Sequence, residues 1–80
     1  MKANIFVTLK REVLDPQGDA VRRSLSSLGF DEVKVARVGK LIELELQGKD
    51  RASAESHIQS MCEKLLANPV IEDFRYEIID

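Results

Sequence analysis

Two alternating runs in this chain stand only two residues apart. Residues 33–38 read Val-Lys-Val-Ala-Arg-Val and residues 41–46 read Leu-Ile-Glu-Leu-Glu-Leu, with Gly39-Lys40 between them. A period of two marks a strand with one buried face, because successive side chains of a strand point to opposite sides. Two such runs joined by a short, glycine-containing link predict a β-hairpin. In the second run Ile42, Leu44 and Leu46 face inward, and Glu43 and Glu45 face outward.

The flanking sequence supplies the rest of a sheet and its cover. Residues 3–9 alternate in the same way, with Ala3, Ile5, Val7 and Leu9 on one side, and predict a first strand. Asp15 can cap the helix that follows, and Pro16 takes its first position, where a missing N–H does no harm. Val21, Leu25 and Leu28 form one face of that helix, and Gly29 stops it. Arg22, Arg23, Ser26 and Ser27 on the other face predict a surface helix. Asp50 caps a second helix, whose apolar face carries Ala54, Ile58, Met61, Cys62, Leu65 and Leu66. Asn68-Pro69 ends it, since the residue before proline is pushed out of the helical region. A last strand runs from Val70 to about Ile79, with Phe74, Tyr76 and Ile78 on one side. The order is β-α-β-β-α-β. It predicts a ferredoxin-like α+β sandwich, a four-stranded antiparallel sheet with two helices on one face. The whole chain, residues 1–80, reads as a single domain.

The other face of that sheet carries Asn4, Phe6, Thr8, Leu41, Glu43, Glu45, Arg75 and Glu77. It is mixed in character, which fits a solvated face and equally fits a surface for association. Size favours association. A domain this short buries only about 60% of its unfolded surface, and small domains without metals or disulfides often recruit a partner.

Charge and cysteine content narrow the function classes. Twelve Lys and Arg against fourteen Asp and Glu give a net charge of −2, which removes the electrostatic case for nucleic acid. The apolar stretches are only a few residues long, far short of the roughly 20 that span a bilayer. With one cysteine no internal disulfide can form, and a cytoplasmic location is expected.

Catalytic constellations are hard to find. His57 lies beside the apolar stripe of the second helix, and Cys62 lies on or near its buried face, where a thiol is usually a small core hydrophobe. One histidine and one cysteine fall short of a structural zinc set. Gly18, Gly29, Gly39 and Gly48 are scattered singly, so no phosphate-cradling loop is formed. No catalytic, cofactor-binding or metal-binding residue is assigned. The punctuation between elements is more specific. Asp15, Pro16 and Gly18, then Arg37, Gly39 and Lys40, then Asn68 and Pro69 are candidate docking residues at the ends of elements.

Read together, three stretches carry a resemblance. Leu14-Asp15-Pro16-Gln17-Gly18, Arg37-Val38-Gly39-Lys40 and the block from Met61 to Asp73, which includes Asn68-Pro69-Val70-Ile71-Glu72-Asp73, resemble the PurS family. Its members are small subunits of bacterial and archaeal phosphoribosylformylglycinamidine (FGAM) synthase. The resemblance implies a complex of three subunits in purine biosynthesis: a PurL-type ATP-dependent synthetase, a PurQ-type glutaminase and a PurS dimer that bridges them. ATP activates the amide oxygen of formylglycinamide ribonucleotide, and ammonia released from glutamine displaces it. ATP, Mg and glutamine would be used by the assembled complex, with no cofactor held by this chain and no activity from it alone. The alternative on the same fold is a stand-alone ACT-like module that binds a small molecule near Gly18 at a subunit interface.

Overall fold

The computed structural model describes residues 1–48 and 50–79. Its centre is β1 (Lys2–Leu9), paired on both edges, with β2 (Gly39–Glu45) on one side and β3 (Glu72–Ile79) on the other. Both pairings are antiparallel. Ile5 lies opposite Ile42 and Tyr76, and Ala3 opposite Leu44 and Ile78, so the inward sets of three strands meet in one layer.

That layer is covered by α2 (Arg51–Met61), which runs on into a π-helical turn, Cys62–Leu66. The Asp50 carboxylate accepts from the Ala52 amide at 3.1 Å and caps the helix start. The wider turn closes with Ala67 N donating to the Cys62 carbonyl at 3.0 Å. Ala3, Ile5, Val7, Ile58, Cys62, Ala67 and Ile78 form the buried core, with Leu44, Leu66, Phe74 and Tyr76 packed around it. The thiol of Cys62 is a core group here, and burial, with some help from Glu63, pushes its pKa up.

The remaining helix, α1 (Pro16–Ser27), follows a different course. Its only buried residue is Gly18. Its stripe is formed as expected, and Gly29, at φ 97°, ends it in the left-handed conformation that glycine permits. The stripe finds little to pack on within the chain: Val21 is 43% exposed and Leu28 73%. The molecule is correspondingly long and flat, 48 × 26 × 14 Å.

Three expectations are corrected. The α+β class holds, with two helices and an antiparallel sheet, but the sheet has three strands in the described residues rather than four. Residues 33–38 run without ladder, turn or bend. The physical reason lies at Gly39, which is a strand residue opposite Thr8. A two-residue hairpin turn needs positive φ, and only Gly29 and Gly48 show it among the described residues. Gly39 is required for closeness instead, since a Cβ there would stand 2.6 Å from the Val7 carbonyl oxygen. The second correction concerns the last strand, which starts at Glu72, because Val70 and Ile71 belong to the turn after Pro69. The third concerns the second helix: Met61, the last residue of α2, is exposed, and so is Leu65, at 82%, because the chain there is in a π-helical turn and its stripe swings away from the sheet.

Candidate functional site

Residues 10–38 leave the sheet and return to it at the same place, between Leu9 and Gly39. This base is closed by a dense set of hydrogen bonds. The buried Asp15 carboxylate accepts from the Gly18 amide at 2.9 Å through Oδ1 and from the Val38 amide at 2.8 Å through Oδ2. One side chain therefore caps α1 and ties the outgoing chain to the incoming one. Those two amides, and then the nearby Arg37 charge, hold its carboxyl below the usual carboxylate range despite the opposing effect of burial.

Arg37 binds from the other side. Its Nη2 donates to the carbonyls of Lys10 at 2.8 Å, Val13 at 3.1 Å and Leu9 at 3.5 Å. The two N–H bonds of that one nitrogen serve the two shorter contacts, and the more distant Leu9 carbonyl shares one of them. Gly18 completes the base: a Cβ there would lie 2.2 Å from the Ala36 carbonyl oxygen. Pro16 takes the first position of α1. Five of the eight candidate docking residues are thus brought together at this neck, where Asp15, Gly18 and Arg37 are engaged with the chain itself. Lys40 stays exposed, next to Gly39.

Asn68 and Pro69 lie apart from the neck, at the exposed corner between the π-helical turn and β3. The Asn68 side-chain Oδ1 accepts from the Val70 amide at 3.1 Å, and the Asn68 backbone N–H donates to Glu72 Oε1 at 2.7 Å. The corner holds its own shape. It leaves Val70 exposed.

The sheet face turned away from α2 is more organised than its mixed composition suggested. Arg75 lays its guanidinium over the Phe6 ring at 3.9 Å from the centroid, a cation–π contact between paired neighbours. Asn4 Nδ2 donates to Glu77 Oε1 at 3.1 Å. Lys40, Leu41 and Phe74 join Phe6 and Arg75 in lining a shallow hollow of about 400 Å³.

A second, more apolar groove of about 560 Å³ opens beside α2, between Leu44 of β2 and Met61, Leu65 and Leu66. Sequence reasoning missed it, since it counted Met61 and Leu65 as core. The groove and the exposed stripe of α1 both leave apolar side chains open. Surfaces of this kind on a small protein are sites of association. His57 lies at the groove's rim and is exposed, while Cys62 is buried. Among the described residues, no three His, Cys, Asp or Glu side chains stand close enough to hold a metal ion.

Comparison with known proteins agrees with a surface-driven role. The family model for PurS, phosphoribosylformylglycinamidine (FGAM) synthase, matches residues 2–80. The chain is 49% identical over 77 residues to the FGAM synthase subunit PurS of Bacillus subtilis, covering 96% of this chain and 90% of that one. It is 50% identical over 74 residues to the Synechocystis PurS subunit, covering 92% and 74% respectively. Among solved structures, B. subtilis PurS in a C2 crystal form superposes with a TM-score of 0.86 at 48% identity, over 99% of this chain and 98% of that chain. A chain from the structure of PurLQS from Thermotoga maritima gives a TM-score of 0.88 at 33% identity, over 98% and 95%.

Proposed function

The chain belongs to the PurS family of phosphoribosylformylglycinamidine synthase subunits, and we propose that it is the non-catalytic subunit that bridges the PurL-type synthetase and the PurQ-type glutaminase. Its work is in purine biosynthesis. The observation that carries the bridging role is the match across residues 2–80, with a PurLQS structure among the neighbours. The open apolar surfaces of α1 and of the α2 groove support it. An ACT-like regulatory module is not favoured, since the whole-chain relatives are synthase subunits.

In this reading the chain holds two active sites in register. Free ammonia at neutral pH is largely protonated, and the ammonium ion has no lone pair with which to attack. Delivery through a water-excluded path keeps the nucleophile as NH₃ until it meets the activated amide. ATP, Mg and glutamine serve the assembled complex, and this chain holds no cofactor. The subunit works in the cytoplasm as a single domain over residues 1–80. No helix among the described residues is long and apolar enough to cross a membrane.

The subunit acts as a homo-oligomer, and the four-stranded ferredoxin-like sheet belongs to that assembled form. Docking falls to the ends of elements: Asp15, Pro16 and Gly18, with Arg37, Gly39 and Lys40, and the Asn68-Pro69 corner. Arg37 and Asp15 act indirectly, by fixing the neck, and the exposed Lys40 offers its charge directly. The test mixes the purified chain with the synthetase and glutaminase and follows glutamine- and ATP-dependent FGAM formation. Turnover that needs the chain, with none from the chain alone, is the expected result. Equal glutamine-dependent turnover without it would overturn the bridging role.

A further inference from the structure

Asp15 is a buried acid with both oxygens bonded, and the bridging role gives it no chemistry to perform. Its main-chain carbonyl is joined to Pro16. This is the one aspartyl–prolyl bond in the chain, since the other proline follows Asn68. Such a bond is unusual for two reasons. A carboxylate oxygen of aspartate can attack its own carbonyl carbon and close a five-membered ring, and an intramolecular attack of this kind has a large effective molarity. The leaving nitrogen belongs to a tertiary amide without an N–H. It takes a proton more readily than an ordinary peptide nitrogen and departs as a secondary amine.

In the folded neck, geometry blocks the attack. Oδ1 is held by the Gly18 amide at 2.9 Å and Oδ2 by the Val38 amide at 2.8 Å. A side chain fixed at both oxygens cannot rotate to bring either one against its own carbonyl carbon. The carbonyl is held as well, because its oxygen accepts from the Asp19 amide at 3.0 Å in the first turn of α1. Arg37 and Gly18 keep the neck closed around these bonds. We propose that Asp15-Pro16 is a latent self-cleavage site: the Asp15 carboxylate is the nucleophile, and its bonds to Gly18 and Val38 hold it inactive.

The reaction runs in mild acid once the neck opens. The medium protonates the Pro16 nitrogen, and a carboxylate oxygen of Asp15 adds to the Asp15 carbonyl carbon. The electron pair on the resulting oxyanion returns to re-form the carbonyl. The C–N bond breaks, and its electrons leave with Pro16 as a secondary amine. Asp15 is left as a cyclic anhydride, which one water opens to two carboxyl groups. The net change is hydrolysis of one peptide bond, with nothing oxidised or reduced.

Cleavage divides the chain into residues 1–15 and 16–80. β1 lies in the first piece, and both strands that pair with it lie in the second, so two ladders keep the pieces together. The arm, residues 10–38, is what changes. Its helix α1 loses the covalent link to β1 and stays joined to the sheet only through Gly39. The cut is a one-way release of the arm from a sheet that remains assembled.

The test incubates the full-length protein at the lowest pH at which circular dichroism keeps its native spectrum, and follows intact mass with time. The same pH in urea gives the rate for the unfolded chain. Fragments ending at Asp15 and beginning at Pro16 are expected, at least tenfold faster in urea than in the folded protein. Pro16→Ala, which keeps the carboxylate but supplies an ordinary peptide nitrogen, should slow cleavage in urea at least tenfold. Arg37→Ala and Gly18→Ala, which loosen the neck and keep Asp15, should speed cleavage of the folded protein at least fivefold. In urea both should match wild type. Ile58→Ala, which weakens the core, should stay within twofold of wild type while folded, because local opening does not require the core to open. No cut at this bond in urea would overturn the self-cleavage site. Equal rates in folded and unfolded wild type, or an Ile58→Ala acceleration as large as that of the neck variants, would overturn the neck as its guard.

Discussion

Helices α1 and α2 carry apolar stripes of similar spacing and both start at an aspartate cap, yet α2 buries Ile58 completely while α1 buries no apolar side chain. The difference is in how each is tethered. The chain enters α2 from β2 and leaves it through the Asn68 corner into β3, so both its ends are fixed to strands on either side of β1. A helix held that way has to lie across the sheet. α1 is fixed at its start alone, by the neck, and Gly29 releases the chain at its far end. A stripe states what a helix needs to bury, and the tethers decide which surface supplies it.

The largest test of this contrast is truncation on the two helices. Ile58→Ala should cost about 2–5 kcal/mol in urea unfolding, a large share of the roughly 5–15 kcal/mol available to a domain. At dilutions where the chain is monomeric, Val21→Ala should fall within about 0.5 kcal/mol of wild type. Equal losses would mean that α1 is packed after all. Next in size is Gly18→Ala. Forcing a Cβ against the Ala36 carbonyl introduces strain of about 1–3 kcal/mol, offset by the roughly 1 kcal/mol that alanine gains over glycine in a helix. Amide exchange should quicken through residues 10–38 and stay unchanged in β1 and β3.

Acid gives a smaller, reversible version of the same loosening. Because folding lowers the Asp15 pKa, its contribution is fully present above the ordinary carboxylate pKa and is lost as pH falls through the lowered value. The neck amides of Gly18 and Val38 should therefore lose protection at acid pH in wild type but show little pH response in Asp15→Asn. The smallest expected effect is a null one. Labelling of the buried Cys62 thiol should speed up in Ile58→Ala and keep its wild-type rate in Gly18→Ala, since the arm can open without exposing the core. A faster rate in both would show the two regions to be one cooperative unit.

Much of this architecture was legible in the sequence. The alternation of residues 3–9, the caps at Asp15 and Asp50, the stop at Gly29 and the break at Asn68-Pro69 all act within a few residues, and all are where periodicity and capping chemistry put them. The hairpin was not legible. A two-residue link between alternating runs suits a closed hairpin and an opened strand equally well, and the choice rests on Asp15 and Arg37, more than twenty residues and one residue from Val38. The fate of Leu65 was hidden for a similar reason, because a π-helical turn shifts the phase of a stripe without altering its spacing. At the neck, Asp15, Gly18 and Arg37 were picked out as unusual, but their bonds to the chain itself are long-range facts.

The neck also makes the arm a module. The chain departs after Leu9 and re-enters at Gly39, opposite Thr8, so every pair in the three-stranded ladder is indifferent to what happens between. One added helical turn in α1 would move its tip by about 5 Å and leave each of those pairs in place. Reach and scaffold can then vary separately: lineages that need a longer span between partner subunits could alter the excursion alone, with the sheet and α2 inherited unchanged.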